Sequence, residues 1–272
     1  MNQFSKSLIE EGEDEYAAQL FPDVVMYNSV IDAWACSGDP TAGTRSETLL
    51  NKMDRNGVHA DSITFGSVIN SHAESGHMNA AKAAEKVLKR MEIAANASNK
   101  CSSGIIPRTQ TYNQVLKAYS KSKLSGAAKR AELILKYMLR SKNKNIQPDI
   151  ISFSTCLDAW AKSKEPGKAE RANDILQKLI TFHQITGADH LKPNEVTFNT
   201  VLNACAFSAF TEENEQKKAL SIAVSLFNEM TKTEYVHPDA ITYGMLMKCI
   251  TNLVPQGKTR NKMASDLFIK CC

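Results

Sequence analysis

Six times along the chain an aromatic residue opens the same pattern of apolar and small positions. The aromatics are Tyr27, Phe65, Tyr112, Phe153, Phe198 and Tyr243; four residues later come Ile31, Ile69, Leu116, Leu157, Leu202 and Met247. Small residues follow at the sixth place (Ala33, Ser71, Ala118, Ala159, Ala204, Cys249) and again at the eighth (Ala35, Ala73, Ser120, Ala161, Ala206, Thr251). With charges interspersed, this spacing predicts one apolar stripe of a helix. The small side chains predict that a second helix approaches it closely. A second register supplies that helix. An apolar pair is followed three residues later by Met53, Met91, Met138, Leu179 or Met230, and in the first four copies the pair begins 22 residues after the aromatic.

Just before each aromatic the chain repeats a short joint. "FPDVVMYNSV", "HADSITFGSV", "QPDIISFSTC", "KPNEVTFNTV" and "HPDAITYGML" are close copies, and "IPRTQTYNQV" is a weaker one. Each unit is therefore expected to be a helix, a turn, a second helix and a loop ending near Pro-Asp. One such pair cannot bury its apolar face alone, whereas stacked pairs share a continuous core. The expectation is an all-α solenoid with units at 24–61, 62–108, 109–149, 150–194, 195–239 and an incomplete one at 240–272. Residues 1–23 are expected to be a remnant of a preceding repeat or an acidic leader. Spacings of 38 to 47 residues between aromatics place insertions in loops, the largest at 92–106 and another around "SAFTEENEQ". Trp34 and Trp160 share a column with His72, Tyr119, Cys205 and Ile250, expected to be packing between units.

An apolar content of 43% is that of a folded protein, and no run of eighteen apolar residues exists to span a membrane. Residues 1–23 hold one Lys against six acidic side chains, so the rest is more basic than the net charge of +4 suggests. That asymmetry is compatible with an anionic partner. Seven cysteines with no CxxC pair read as reduced thiols, with neither a disulfide framework nor a metal site. No HExxH, GxGxxG, GxSxG or P-loop occurs. The expectation is a protein without catalytic residues or cofactors.

"VVMYNSVIDAWACSGD" and "EVTFNTVLNACAFSAF" resemble the first helix of the pentatricopeptide repeat (PPR) family, and "LFNEM" with the following "VHPD" resembles its second helix and closing loop. The resemblance covers residues 24–271. It departs in length, because each complete unit here exceeds the family's usual 35 residues. The resemblance implies a right-handed superhelix that binds single-stranded RNA, one base per repeat, read by two or three side chains. The implied base-reading pairs are Asn28 with Asp61, Asn113 with Asp149, Ser154 with Asn194, and Asn199 with Asp239. Gly66 with Arg108 is a degenerate pair, and Gly244 opens a sixth. By the family's code these select roughly U-x-U-A-U. Val25, Ile63, Ile151, Val196 and Ile241 are implied to sandwich bases, and Lys121 and Lys162 to contact phosphate. Mitochondrial or chloroplast RNA processing, editing, stability or translation is the family's setting, with protein partners supplying any catalysis. The chain is expected to be a fragment of a larger one.

Each assignment has a plainer counterpart. Asp61, Asp149 and Asp239 are also what a helix N-cap prefers, and Asn28 or Asn199 suits a helix start. Lys121 and Lys162 serve equally as solvated charges. A protein-binding solenoid could use the same groove without regard to the Asn/Asp pairs.

Overall fold

The computed structural model describes residues 22–98, 104–208, 212–233 and 236–271. Among them lie twelve α-helices and no strand. In chain order they are α1 (Val24–Cys36), α2 (Ala42–Arg55), α3 (Ser62–Ser75), α4 (Ala80–Ser98), α5 (Thr109–Lys121), α6 (Ala127–Arg140), α7 (Ile150–Lys162), α8 (Lys168–Thr186), α9 (Glu195–Ala206), α10 (Glu213–Met230), α11 (Ala240–Leu253) and α12 (Lys258–Cys271). Of the expected leader, residues 1–23, all but Pro22 and Asp23 lie outside the described residues. None of the described helices is long and apolar enough to cross a membrane.

The Pro-Asp joints act through capping. Asp23, Asp61, Asp149, Asn194 and Asp239 take extended backbone geometry, and each side chain accepts from the amide three residues on. Thr64, Ser152, Thr197 and Thr242 complete reciprocal capping boxes, because their hydroxyls accept from the cap residue's own N–H. Odd-numbered helices thus start at a fixed place relative to the aromatic. Left-handed glycines bound α8, with Gly167 at φ 72° before it and Gly187 at φ 61° after it.

Two compact units divide the chain, Met1–Ala118 and Tyr119–Cys272. In the first, α1 packs on both α2 and α3, and α3 on α2 and α4. In the second, α7 packs on α9 and α9 on α11, with the even-numbered helices alongside. Within each unit, successive first helices therefore stand side by side, and their N-termini form one row. The aromatic anchors are buried except Tyr243, which is half-buried. Met53, Met91, Met138, Leu179 and Met230 have no exposed surface.

Four details depart from the sequence pattern. The supposed loop from residue 92 is helical as far as Ser98, and α8 likewise runs six residues past Ile180 to Thr186. "EIAANAS" and "TFHQIT" contain no Pro or Gly, so added length continues the helix until Gly187 stops α8. In the last unit Leu246 is buried and Met247 only half-buried. Ala33 and Thr251 are exposed, on the first and last odd-numbered helices, each with a described first helix on one side only. The Trp34 column is buried in the other units, while Trp34 itself is half-buried beneath the Arg45 guanidinium, 4.8 Å from its ring centre.

Candidate nucleic-acid interface

The second residue of five odd-numbered helices is aliphatic, β-branched and exposed: Val25 at 64%, Ile63 at 66%, Ile151 at 55%, Val196 at 62% and Ile241 at 58%. Single exposed aliphatics are ordinary. Five at one register are a surface property of the array. Three residues further on, one turn along the same face, lie Asn28, Gly66, Ser154, Asn199 and Gly244. In α5 the corresponding residues are exposed Gln110 and buried Asn113.

The cap carboxylates do two jobs at once. Asp61 Oδ1 accepts from the Thr64 amide at 2.7 Å, from the Thr64 hydroxyl at 2.8 Å and from Asn28 Nδ2 at 3.3 Å. Asp239 repeats this, with Thr242 N and Oγ1 both at 2.7 Å and Asn199 Nδ2 at 3.2 Å. A carboxylate only accepts, so each Asn must turn its nitrogen to the Asp and its oxygen away. Cap and pair are therefore the same atom. The choice between a capping Asp and a partner of the preceding Asn dissolves.

The two Asn oxygens differ in company. Asn199 Oδ1 lies 2.8 Å from the Thr242 hydroxyl, which has one proton to share between it and Asp239. Asn28 Oδ1 is buried and accepts no hydrogen bond among the described residues. Buried acceptors without donors are uncommon in folded proteins.

Burial alone would raise the Asp61 carboxyl, but the Thr64 amide and hydroxyl and the Asn28 amide outweigh it and hold the group below the ordinary aspartate range. At Asp239 the Thr242 amide leads, opposed by burial and helped by the Thr242 hydroxyl and Asn199. A depressed folded-state pKa contributes stability that is complete above the unfolded value of about 4 and is lost as pH falls through the folded one. Urea midpoints measured near pH 6 and near pH 3 should fall further in the wild type than in Asp61→Asn/Asp239→Asn. Equal losses would mean that these carboxylates carry none of the acid sensitivity.

The remaining candidates fall into place differently. Asp149 caps α7 through Ser152, whose amide and hydroxyl donate at 2.8 and 3.0 Å. Asn194 is exposed and caps α9, accepting from Thr197 N at 3.1 Å. Ser154 donates to its own helix at Ile151 O, 3.2 Å away, and is not hydrogen-bonded to Asn194. Arg108 is exposed at the entry to α5. Lys121 is exposed at the end of α5, and Lys162 ends α7 with Nζ 2.6 Å from Asp158. No cluster of His, Cys, Asp and Glu among the described residues could hold a metal ion.

Helical hairpins stacked on a repeated capped joint define an all-α helical repeat protein. The sequence pattern of the pentatricopeptide repeat domain matches residues 48–122 and 139–207, more than half of the chain, so the protein belongs to the pentatricopeptide repeat family. A comparison with curated proteins finds no match. Among solved structures, the chain is similar to the pentatricopeptide repeat protein PPR10, crystallised in complex with an 18-nt psaJ RNA element. Identity is 21% and the TM-score 0.47, covering 98% of this chain and 36% of that one. The chain thus spans about a third of that relative's length.

Proposed function

We propose that the protein binds single-stranded RNA at its first-helix N-termini and selects one base per unit. The observation that carries this reading is the Asn amide clamped on the next unit's Asp, with the same geometry in the first and fifth units. The clamp fixes which end of the amide faces away from the Asp. The amide oxygen and its second N–H then form an acceptor and donor matched to uracil N3–H and O4. Val25 and Val196, one turn earlier on the same face, offer apolar surface for the flat base. By register Asn113 and Asp149 would also select uracil, and Ser154 with Asn194 would favour adenine, giving roughly U-x-U-A-U. Lys121 and Lys162 would face phosphate, Lys162 by giving up Asp158. Family membership supports a part in mitochondrial or chloroplast RNA processing, editing, stability or translation as the setting, with catalysis supplied by protein partners.

Fluorescence anisotropy with a short RNA containing U-x-U-A-U tests this. Changing each uracil to guanine should weaken binding about tenfold, the low end of what one polar base contact discriminates. Equal binding to both RNAs, falling steeply with salt, would leave a phosphate-backbone binder without a code. No binding at low salt would favour a protein-binding scaffold.

A further inference from the structure

The second unit lacks a reader of its own. Gly66 occupies the place of Asn28 and Asn199, and its missing side chain leaves that unit without a base-contacting group in the reader column. The neighbouring helix changes this picture. A Cβ built on Gly66 would have one contact within 4 Å, Gln114 Oε1 at 3.9 Å. Gln114 belongs to α5, the first helix of the next unit, so its carboxamide reaches into the space that a reader would fill. Its oxygen is buried and accepts no hydrogen bond among the described residues. Asn28 Oδ1, on the first unit's reader, is the other carboxamide oxygen in that condition. The first unit's reader and the side chain that fills the second unit's reader place therefore show the same mark, an idle acceptor, although the latter comes from the third unit.

The sequence supports a substitution of roles. One residue after the reader, the other units carry Ser29, Ser67, Thr155, Thr200 and Met245. Ser29 and Thr200 turn their hydroxyls back onto Val25 O and Val196 O, at 2.9 and 2.7 Å. Only this register of α5 holds a long amide, and it adjoins the one glycine that precedes a complete next unit. Gly66 is helical with no positive φ, so the backbone does not demand glycine there.

We propose, given the RNA-binding reading above, that Gln114 reads the second base in place of Gly66, with Arg108, and that the base is guanine. A guanidinium has only donors to give, and guanine O6 accepts them. Gln114 Oε1 accepts only, and guanine presents N1–H and N2–H side by side, where adenine presents one exocyclic amine. The missing side chain at Gly66 also leaves a gap that a purine spans better than a pyrimidine. The site is thus built from two units, and its specificity is invisible to a pairwise code.

The experiment uses the full chain and four RNAs of the form U-N-U-A-U, with N each base in turn, read by anisotropy. Guanine should bind about tenfold tighter than the other three. Gln114→Ala should level the four to the weaker value while leaving the penalty for U→G at the outer positions intact. Gln114→Met, which keeps the side chain's length, should do the same and guards against a packing effect. Indifference at N with discrimination kept at the uracils would overturn the role of Gln114 and spare the broader reading. A guanine preference that survives both variants overturns it too. A preference for another base overturns the guanine assignment. Loss of discrimination at every position in the wild type removes the broader reading and this one with it.

Discussion

Gly43→Ala is expected to lower the stability of the first compact unit by about 3 kcal/mol, the upper part of the usual overpacking range. A methyl group at Gly43 would stand 2.3 Å from His72 Nδ1, 2.8 Å from Cγ and 2.9 Å from His72 Cα. The last contact is backbone, so no rotamer change relieves it. His72 cannot swing away, because it is 4% exposed and lies between α2 and α3 with Nε2 3.5 Å from Glu47 Oε2. One turn along, Ser46 donates to Ser71 at 2.8 Å in a buried contact, and pushing the helices apart breaks that bond as well. Three later units have Ala81, Ala128 and Ala169 at the register of Gly43, ten residues before the methionine column. Glycine is thus a local answer to a histidine.

Gly66→Ala serves as the control of opposite sign. It is also a helical glycine, but the added methyl meets only Gln114 Oε1 at an ordinary 3.9 Å. It should gain roughly 0.5–1 kcal/mol from reduced backbone freedom. Urea denaturation followed by circular dichroism compares the two. Equal effects of either sign would mean that α2 and α3 accommodate a methyl by shifting, and that the approach at Gly43 is not tight in solution.

The fold could be read in the sequence because its signals are local and repeated. Tyr27 and its counterparts mark each first helix, Met53 and its counterparts each second helix, and a Pro-Asp joint each start. The lengths of α4 and α8 could not be read that way. Comparing unit lengths shows that residues are extra, not what they form; helix propensity and the next Gly or Pro decide that. At the site, Asp61 and Asp239 were ambiguous because capping and pairing both ask for a carboxylate at the same place. Only the positions of Thr64, Asn28 and their equivalents show one oxygen serving both. Gln114 lies outside the column that holds the other readers, so the repeat register alone does not mark it. The available signal was a coincidence of two departures, a glycine in that column and a long amide in the next one of the following helix.

The combined variant Asn28→Ala/Asn113→Ala/Asn199→Ala is expected to weaken binding to U-x-U-A-U RNA by at least about a hundredfold. Each polar base contact is worth roughly 1–3 kcal/mol, and separated positions add approximately. The fold should persist. Asp61 and Asp239 keep their bonds to Thr64 and Thr242, so the caps survive, and alanine suits a helix better than asparagine. The slope of affinity against salt should not change, because no phosphate contact has been removed. That combination separates a lost code from a lost surface. Guanine in place of the uracils should then cost the variant almost nothing. A folded variant that binds the RNA as tightly as before would show that the Asn–Asp clamps serve the joints alone. The exposed aliphatic residues Val25, Ile63, Ile151, Val196 and Ile241 would then be better explained as contacts of a protein-binding scaffold, where an apolar peptide face takes the place of the bases.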